Sequence, residues 1–298
     1  MRSNWRVDAA LVAVALIWGA TFVLVKEALD DVSTLLFLTL RFGVATVALA
    51  LLFGKSAQTD LRRRSILWPS VGGGAIAGFC LFSGYVLQTF GLKYTTAAKA
   101  GFITGLYIPL VPLCGALAYR RRPQSIEVAG VCSAFIGMAL MTVQGDILSI
   151  GRGDLLVMCC AVAYAFHILV LGHFAVRAST PVLTLTQIAT SAILGGSVFW
   201  WAEPPHIHWS APVWIAIGVT GLLATALAFY VQTWAQQYSS PTRTALIFST
   251  EPVFAWVTSY LVLREGLSGR GIFGALLILA GILLVEMKPG RFAPHPST

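Results

Sequence analysis

Ten long apolar runs divide the chain, at about 9–26, 32–53, 67–90, 98–118, 126–143, 153–172, 181–201, 211–235, 244–263 and 269–287. Each approaches the ~20 residues that a helix needs to cross the hydrocarbon core of a bilayer. The runs are continuous, without the alternation of apolar and polar residues that marks the strands of a membrane barrel. The pattern predicts an all-α polytopic membrane protein with ten transmembrane helices joined by short connectors. Arg2 and Arg6 precede the first run in the manner of a signal peptide, but many similar runs follow, and it reads as the first spanning helix. Small residues that let helices approach closely in lipid are concentrated in the third run (Gly72, Gly73, Gly74, Gly78, Gly84) and recur at Gly101 and Gly105.

Two runs carry an interruption. Glu251-Pro252 stands in the middle of the ninth, and Pro109, 143 residues earlier, stands in the fourth. A proline leaves a backbone carbonyl without its helical donor. A carboxylate at hydrocarbon depth needs a partner or an aqueous cavity. Interruptions at matching places in two halves point to a transport site. Other features recur at a similar offset: Asp8 and Asp154, Trp18-Gly19-Ala20 and Tyr164-Ala165-Phe166, Gln88 and Gln232, Gly137 and Gly281. The offsets lie between 143 and 146 residues across the whole chain. Residues 1–145 and 146–298 therefore read as two five-helix repeats. Five is odd, so the second copy enters the membrane from the opposite side, and the repeats are inverted.

Composition agrees with a bilayer as solvent: 57% of residues are hydrophobic and 11% charged, against about 25% charged in soluble domains. The net charge of +8 does not mark a nucleic-acid binder, because the basic residues lie in connectors rather than on a folded polar face. With the N-terminus in the cytoplasm, 13 lysines and arginines fall in inner segments and 6 in outer ones. Both termini are thus expected in the cytoplasm of a cell inner membrane. The five cysteines all lie in apolar runs and have no metal-ligand or disulfide spacing. His206 and His208 share an outer connector; a two-histidine metal site and a plain solvated loop are the readings there, and the loop is preferred. No metal and no cofactor is expected.

A few polar residues inside the runs are candidates for chemistry. His167 lies one turn from Tyr164 on the same helix face. It reads either as an interhelical hydrogen bond or as a solute ligand or protonation site, since its ordinary pKa makes proton coupling chemically available. Arg41 and Glu251 lie near the centres of their helices. They read as a structural ion pair, with a snorkelling Arg41 or a protonated Glu251 as the alternatives. Gln88 and Gln232 fit gate or pocket-wall positions, and equally fit interhelical hydrogen bonds. Trp18 and Tyr164 are repeat equivalents near the bilayer midplane, where aromatic rings need a reason to be. With Tyr107, beside Pro109, and His167 they form the expected solute-binding wall. Asp154 reads as a helix cap.

Taken together these motifs resemble the EamA-type family of the drug/metabolite transporter superfamily, over residues 9–287. The resemblance is carried by Trp18-Gly19 and Phe22, Arg41-Phe42, Gly91-Leu92, Tyr94-Thr95, Ala97 and Pro109 in the first half. In the second it is carried by Ala228-Phe229-Tyr230, Gln232, Ala235-Gln236, Ala245, Glu251-Pro252, Glu265, Gly274 and Gly281. One departure is Arg121, which stands before Gly130 where the family pattern, like Glu265 before Gly274, has glutamate. The resemblance implies a ten-helix carrier working by alternating access, exporting amino acids, related metabolites, sugars or amphipathic compounds from a central cavity.

Transport needs binding rather than bond chemistry, and no P-loop or other enzyme constellation is present in the sequence. The expected function is a secondary transporter, not an enzyme, for an amino acid-like or amphipathic metabolite. Membrane lipid is expected around it, a coupling proton is an open option, and the chain is expected to act as a monomer or weak homodimer. The competing readings are an intramembrane enzyme acting on a lipid-like substrate and a non-transporting structural membrane protein.

Overall fold

The computed structural model describes residues 5–95, 97–119, 123–142, 151–263 and 268–287. Regular structure among them is helical, apart from one antiparallel bridge between Val32 and Ile207. The helices are α1 (Trp5–Ala28), α2 (Thr34–Leu61), α3 (Arg64–Leu92), α4 (Ala97–Thr104), α5 (Tyr107–Tyr119), α6 (Ser125–Thr142) and α7 (Arg152–Phe174). After them come α8 (Thr180–Ala202), α9 (Ala211–Gly221), a π-helical segment (Leu222–Leu227), α10 (Ala228–Ala235), α11 (Pro241–Phe248), α12 (Glu251–Leu263) and α13 (Gly269–Met287). Six stretches among the described residues are long and apolar enough to cross a bilayer: Thr34–Leu61, Ser65–Gly91, Ala100–Ala118, Arg152–Phe174, Thr180–Ala202 and Ala211–Ala235. The apolar helices Ser125–Met141 and Gly269–Val285 are shorter. The chain is a multi-pass, all-α membrane protein.

Every predicted run is helical, but three are not single α-helices. The fourth run breaks at Gly105–Leu106, between α4 and α5. Pro109 cannot donate to the Gly105 carbonyl; that oxygen instead takes the Ile108 N–H at 3.0 Å. The ninth run breaks at Ser249–Thr250, between α11 and α12. Here Pro252 cannot donate to the Phe248 carbonyl, and hydroxyls add donors to the two carbonyls before it. Ser249 Oγ donates to the Leu246 carbonyl at 2.6 Å, and Thr250 Oγ1 to the Ile247 carbonyl at 2.7 Å. The third interruption, the π-helical segment in the eighth run, contains neither proline nor an internal glycine. The second run also extends past its expected end at 53, to Leu61.

The helices pass between two ends of the bundle. At one lie the first turn of α1, the α2–α3 turn and the α7–α8 and α10–α11 connections; this is the Arg243 end. There Arg243 holds Asp8, and Ser179 Oγ donates to Asp60 at 2.7 Å. At the opposite, Glu203 end, the α1–α2 and α8–α9 loops are joined. Ser33 N–H donates to the His206 carbonyl at 2.9 Å, and Ser210 Oγ to Asp31 at 2.5 Å.

In the interior α3 packs on α7 and α8, α2 on α8, and α1 on α9 to α12. Helices α6 and α13 pair along their lengths. Glycines make that seam close: a Cβ at Gly130 would meet the Gly281 carbonyl oxygen at 2.7 Å, and one at Gly137 would meet the Ile278 nitrogen at 2.9 Å. Gly19 does the same between α1 and α12. A Cβ there would lie 2.7 Å from the Glu251 carbonyl oxygen and 2.8 Å from the Ala255 nitrogen. That close approach sets the first turn of α12, and with it Glu251, against α1.

Candidate functional site

A cavity of about 680 Å³ runs from the middle of the bundle to the Glu203 end. Its deep part is bounded by Ile168, Gln232 and Phe248; its mouth is bounded by Asp30, Lys93, Glu203 and His206. All eight residues singled out in the sequence line it: Trp18, Arg41, Gln88, Tyr107, Tyr164, His167, Gln232 and Glu251. They come from α1, α2, α3, α5, α7, α10 and α12. Both halves of the chain therefore contribute walls.

Trp18 forms part of the apolar wall. Its ring lies 5.4 Å from Phe229 and 4.9 Å from Phe248 between centroids. Its indole Nε1 donates to the Ala224 carbonyl at 2.9 Å. Ala224 belongs to the π-helical segment, and such segments displace backbone carbonyls from their regular partners.

Arg41 uses the same segment. Its Nε donates to Thr225 Oγ1 at 2.7 Å, and its Nη2 donates to Tyr85 Oη at 3.0 Å and to the Ala224 carbonyl at 3.3 Å. The guanidinium carbon also sits 4.8 Å from the Tyr85 ring centroid, a cation–π contact. The expected direct ion pair with Glu251 is not formed among the described residues; α3 and the π-helical segment satisfy the guanidinium with neutral groups instead. Snorkelling is also absent, because Arg41 is 5% exposed and points into the bundle. The Glu251 carboxylate has no hydrogen-bond partner among the described residues and faces the cavity it lines.

His167 makes an interhelical hydrogen bond, the first of its two alternatives. Thr233 Oγ1 donates to the Phe229 carbonyl at 2.7 Å, so it can only accept from Gln187 Nε2 at 3.0 Å. Gln187 Oε1 is thereby turned toward His167 Nε2, 2.9 Å away. An amide oxygen only accepts, so Nε2 carries the hydrogen. In the neutral ring Nδ1 is then a bare acceptor. It has no protein partner among the described residues, is not a sealed atom, and belongs to a residue of the cavity wall.

Tyr164 Oη donates to Gln88 Oε1 at 3.2 Å, and Gln88 Nε2 donates to Thr104 Oγ1 at 3.2 Å. This chain ties α7, α3 and α4 on one wall. The Tyr164 ring fits against Gly84, where any side chain would collide with it. Gln232 lies deeper: its Nε2 donates to Gln236 Oε1 at 3.2 Å, and Gln236 Nε2 to the Ile168 carbonyl at 2.9 Å. The two glutamines predicted as a pair thus occupy different depths of one cavity.

The ends of the bundle differ. Beyond Gln236, Arg243 grips Asp8 with two hydrogen bonds, Nε to Oδ1 at 2.9 Å and Nη2 to Oδ2 at 2.6 Å. The fork geometry of such a pair adds strength and direction. At the mouth, Lys93 pairs with Glu203, which also accepts the Leu35 N–H at 3.0 Å. Asp154 caps α7, as expected, by accepting the Gly151 N–H at 2.8 Å. Sequence reasoning missed Tyr85, Thr225, Gln187 and the Asp8–Arg243 contact. The last left a trace, an acid and a base in connectors on the same predicted side; the others left none.

The profile of the EamA-like transporter family matches residues 5–143 and again residues 151–287. The chain belongs to the EamA-like transporter family. An uncharacterized transporter of Archaeoglobus fulgidus is 34% identical over 281 residues, 94% of this chain and 86% of that protein. A "Probable terminal-alkyne amino-acid exporter" of Streptantibioticus cattleyicolor is 26% identical over 286 residues, 94% of this chain and 93% of that protein. A crystal structure superposes with a TM-score of 0.80 at 20% identity, covering 96% of this chain and 98% of the other. This EamA-like protein is a membrane transporter for small molecules, in contact with lipid.

Proposed function

We propose that this EamA-like protein is a secondary carrier that exports amino acids or related small metabolites across the cell inner membrane by alternating access. The observation that carries the reading is one cavity at mid-bundle, open toward the Glu203 end and closed at the Arg243 end by the Asp8–Arg243 pair and the Gln232–Gln236 chain. Binding sites at the midplane between two halves are the usual arrangement in carriers of this kind. Two inverted five-helix repeats supply the two states. The double match of the family profile supports them. So do the helix breaks at Gly105 and Ser249, 144 residues apart. The glycine seam is a third support: Gly130 packs on Gly281 and Gly137 on Gly274, and each pair exchanges under a 144-residue shift.

The excess of basic residues in the segments at the Arg243 end supports a cytoplasmic location for that end and for both termini. The cavity then faces outward in the state described. Trp18, Tyr107, Tyr164 and His167 contact the solute, and Gln88 and Gln232 serve as pocket wall and floor. The positions of His167 and Glu251 on the cavity wall make either available to a coupling proton. The carrier reading is preferred to an intramembrane enzyme because the cavity's polar groups are spread over its walls, without a nucleophile and base in hydrogen-bond contact among the described residues. Purified protein in sealed liposomes preloaded with a metabolite extract tests the reading. Solutes should exchange across the membrane chemically unchanged. Products of altered mass, or no exchange by folded protein, would reject it.

A further inference from the structure

We propose that Arg41 is the solute's anchor: it binds a carboxylate of the transported molecule, so the cavity selects solutes that carry one. The assignment rests on the carrier reading above and adds the chemical group that the cargo must bear and the residue that reads it.

A buried arginine in a membrane protein ordinarily answers an acid. Arg41, 5% exposed, answers none. Thr225, Tyr85 and the Ala224 carbonyl hold the plane of its guanidinium still, but all three are neutral and leave its charge uncancelled. Glu203 is engaged by Lys93 and the Leu35 N–H, and Glu251 forms no ion pair with Arg41 among the described residues. Nη1 has no protein acceptor among those residues. It is also not among the sealed polar atoms, so it is open to the cavity that Arg41 lines. The result is a pre-oriented cation with one free edge on a cavity wall inside the bundle, the arrangement that makes an arginine a carboxylate receptor. Lys93, the other lysine or arginine on the cavity wall among the described residues, is already paired at the mouth. A single uncompensated positive charge suits a singly charged carboxylate better than a dianionic phosphate.

The rest of the wall complements this. His167 Nδ1, Tyr107 Oη and the Glu251 carboxylate have no hydrogen-bond partner among the described residues and are not sealed. They come from α7, α5 and α12, whereas Arg41 comes from α2. The cavity is therefore polarised, with a donor cation on one wall and acceptors on others. Trp18, Phe229 and Phe248 supply the apolar surface. A solute with a carboxylate, an amino group and an apolar side chain satisfies all three. A solute without a carboxylate leaves Arg41 unanswered.

The test uses the full-length protein in liposomes and a mixed probe of the proteinogenic amino acids together with their carboxamides, which lack only the anionic charge. Mass spectrometry reads which members exchange. The expected result is exchange of some acids and of none of the matching amides. Arg41→Gln should lower exchange of those acids by about tenfold or more, and Tyr85→Phe, which keeps the ring but loses one bond to Nη2, by about threefold. The acid–amide comparison on the unaltered protein stands even if Arg41→Gln does not fold. Amides exchanging as well as acids, or acids exchanging undiminished through folded Arg41→Gln protein, would overturn the anchor and leave the carrier reading intact. No exchange of any probe or extract component by folded protein would overturn the carrier reading and the anchor with it.

Discussion

His167 has one nitrogen in the framework and one on the cavity wall, and Gln187 decides which is which. Removing Gln187 should therefore cost stability and disturb the site together. Gln187→Leu leaves the His167 Nε2–H without its acceptor. A buried donor so stranded costs about 1–3 kcal/mol, to be read as a fall in the thermal midpoint of the purified protein. An unchanged midpoint would mean that the relay contributes nothing. Tyr164 has a different balance, because one side of it is Gly84 and the other is the cavity. Tyr164→Ala should weaken the binding of an exchanging solute by about 1–3 kcal/mol through lost ring and hydroxyl contacts. Titration of the Tyr164→Ala and Trp18→Ala proteins measures this, and unchanged affinity in both would place the solute elsewhere. Arg41 and Glu251 were legible as costly charges at helix centres, but the partners of Arg41 were not. The choice of Tyr85 and Thr225 over Glu251 depends on how α2, α3 and the π-helical segment meet.

At the scale of elements, the breaks and the seams make the site. The prolines at 109 and 252 explain why α4–α5 and α11–α12 are each split, and both were visible in the sequence. The π-helical segment was not. No residue type marks it, and Trp18 and Arg41 both reach its Ala224 carbonyl from other helices. The glycine seams are tight enough to test. At Gly137 an added Cβ would press on the backbone of α13. Gly137→Val should destabilise the protein by about 1–3 kcal/mol through overpacking. Gly218, where nothing lies within 4 Å of an added Cβ, is the control. Equal thermal midpoints for Gly137→Val and Gly218→Val would show that the α6–α13 seam accommodates the added side chain without cost.

For the whole molecule, the question is which end opens. Asp8 and Arg243 lock the Arg243 end across the first and second halves of the chain. Asp8→Asn should shift the population toward a state open at that end. A cysteine on the pocket floor, at Gln232, should then react faster with reagents that enter from that side. The double exchange Asp8→Arg with Arg243→Asp should restore the original rate; a rate that ignores both changes would remove the pair from the gate. Orientation is a separate matter. Single cysteines at Gln58 and His208 stand at opposite ends of the bundle, and only the second should label from outside intact cells. Labelling of both from outside would reverse or remove the assigned topology.

The sequence by itself determined the solvent of this protein, its helical class and the residues that have no business in lipid. Hydrophobic length and the expense of buried charge act locally along the chain, so they can be read from it. Trp18, Tyr107, Tyr164 and His167 line one cavity; Trp18 and Tyr164 were legible as repeat equivalents, Tyr107 by its place beside Pro109 and His167 by its place one turn from Tyr164. What only the tertiary structure decided was pairing: Arg41 with Tyr85 and Thr225, His167 with Gln187, Asp8 with Arg243. Hydrogen bonds discriminate over tenths of an ångström, and the approach of helices far apart in the chain sets those distances. In a bundle of similar apolar helices, nothing in the local pattern says which will be neighbours.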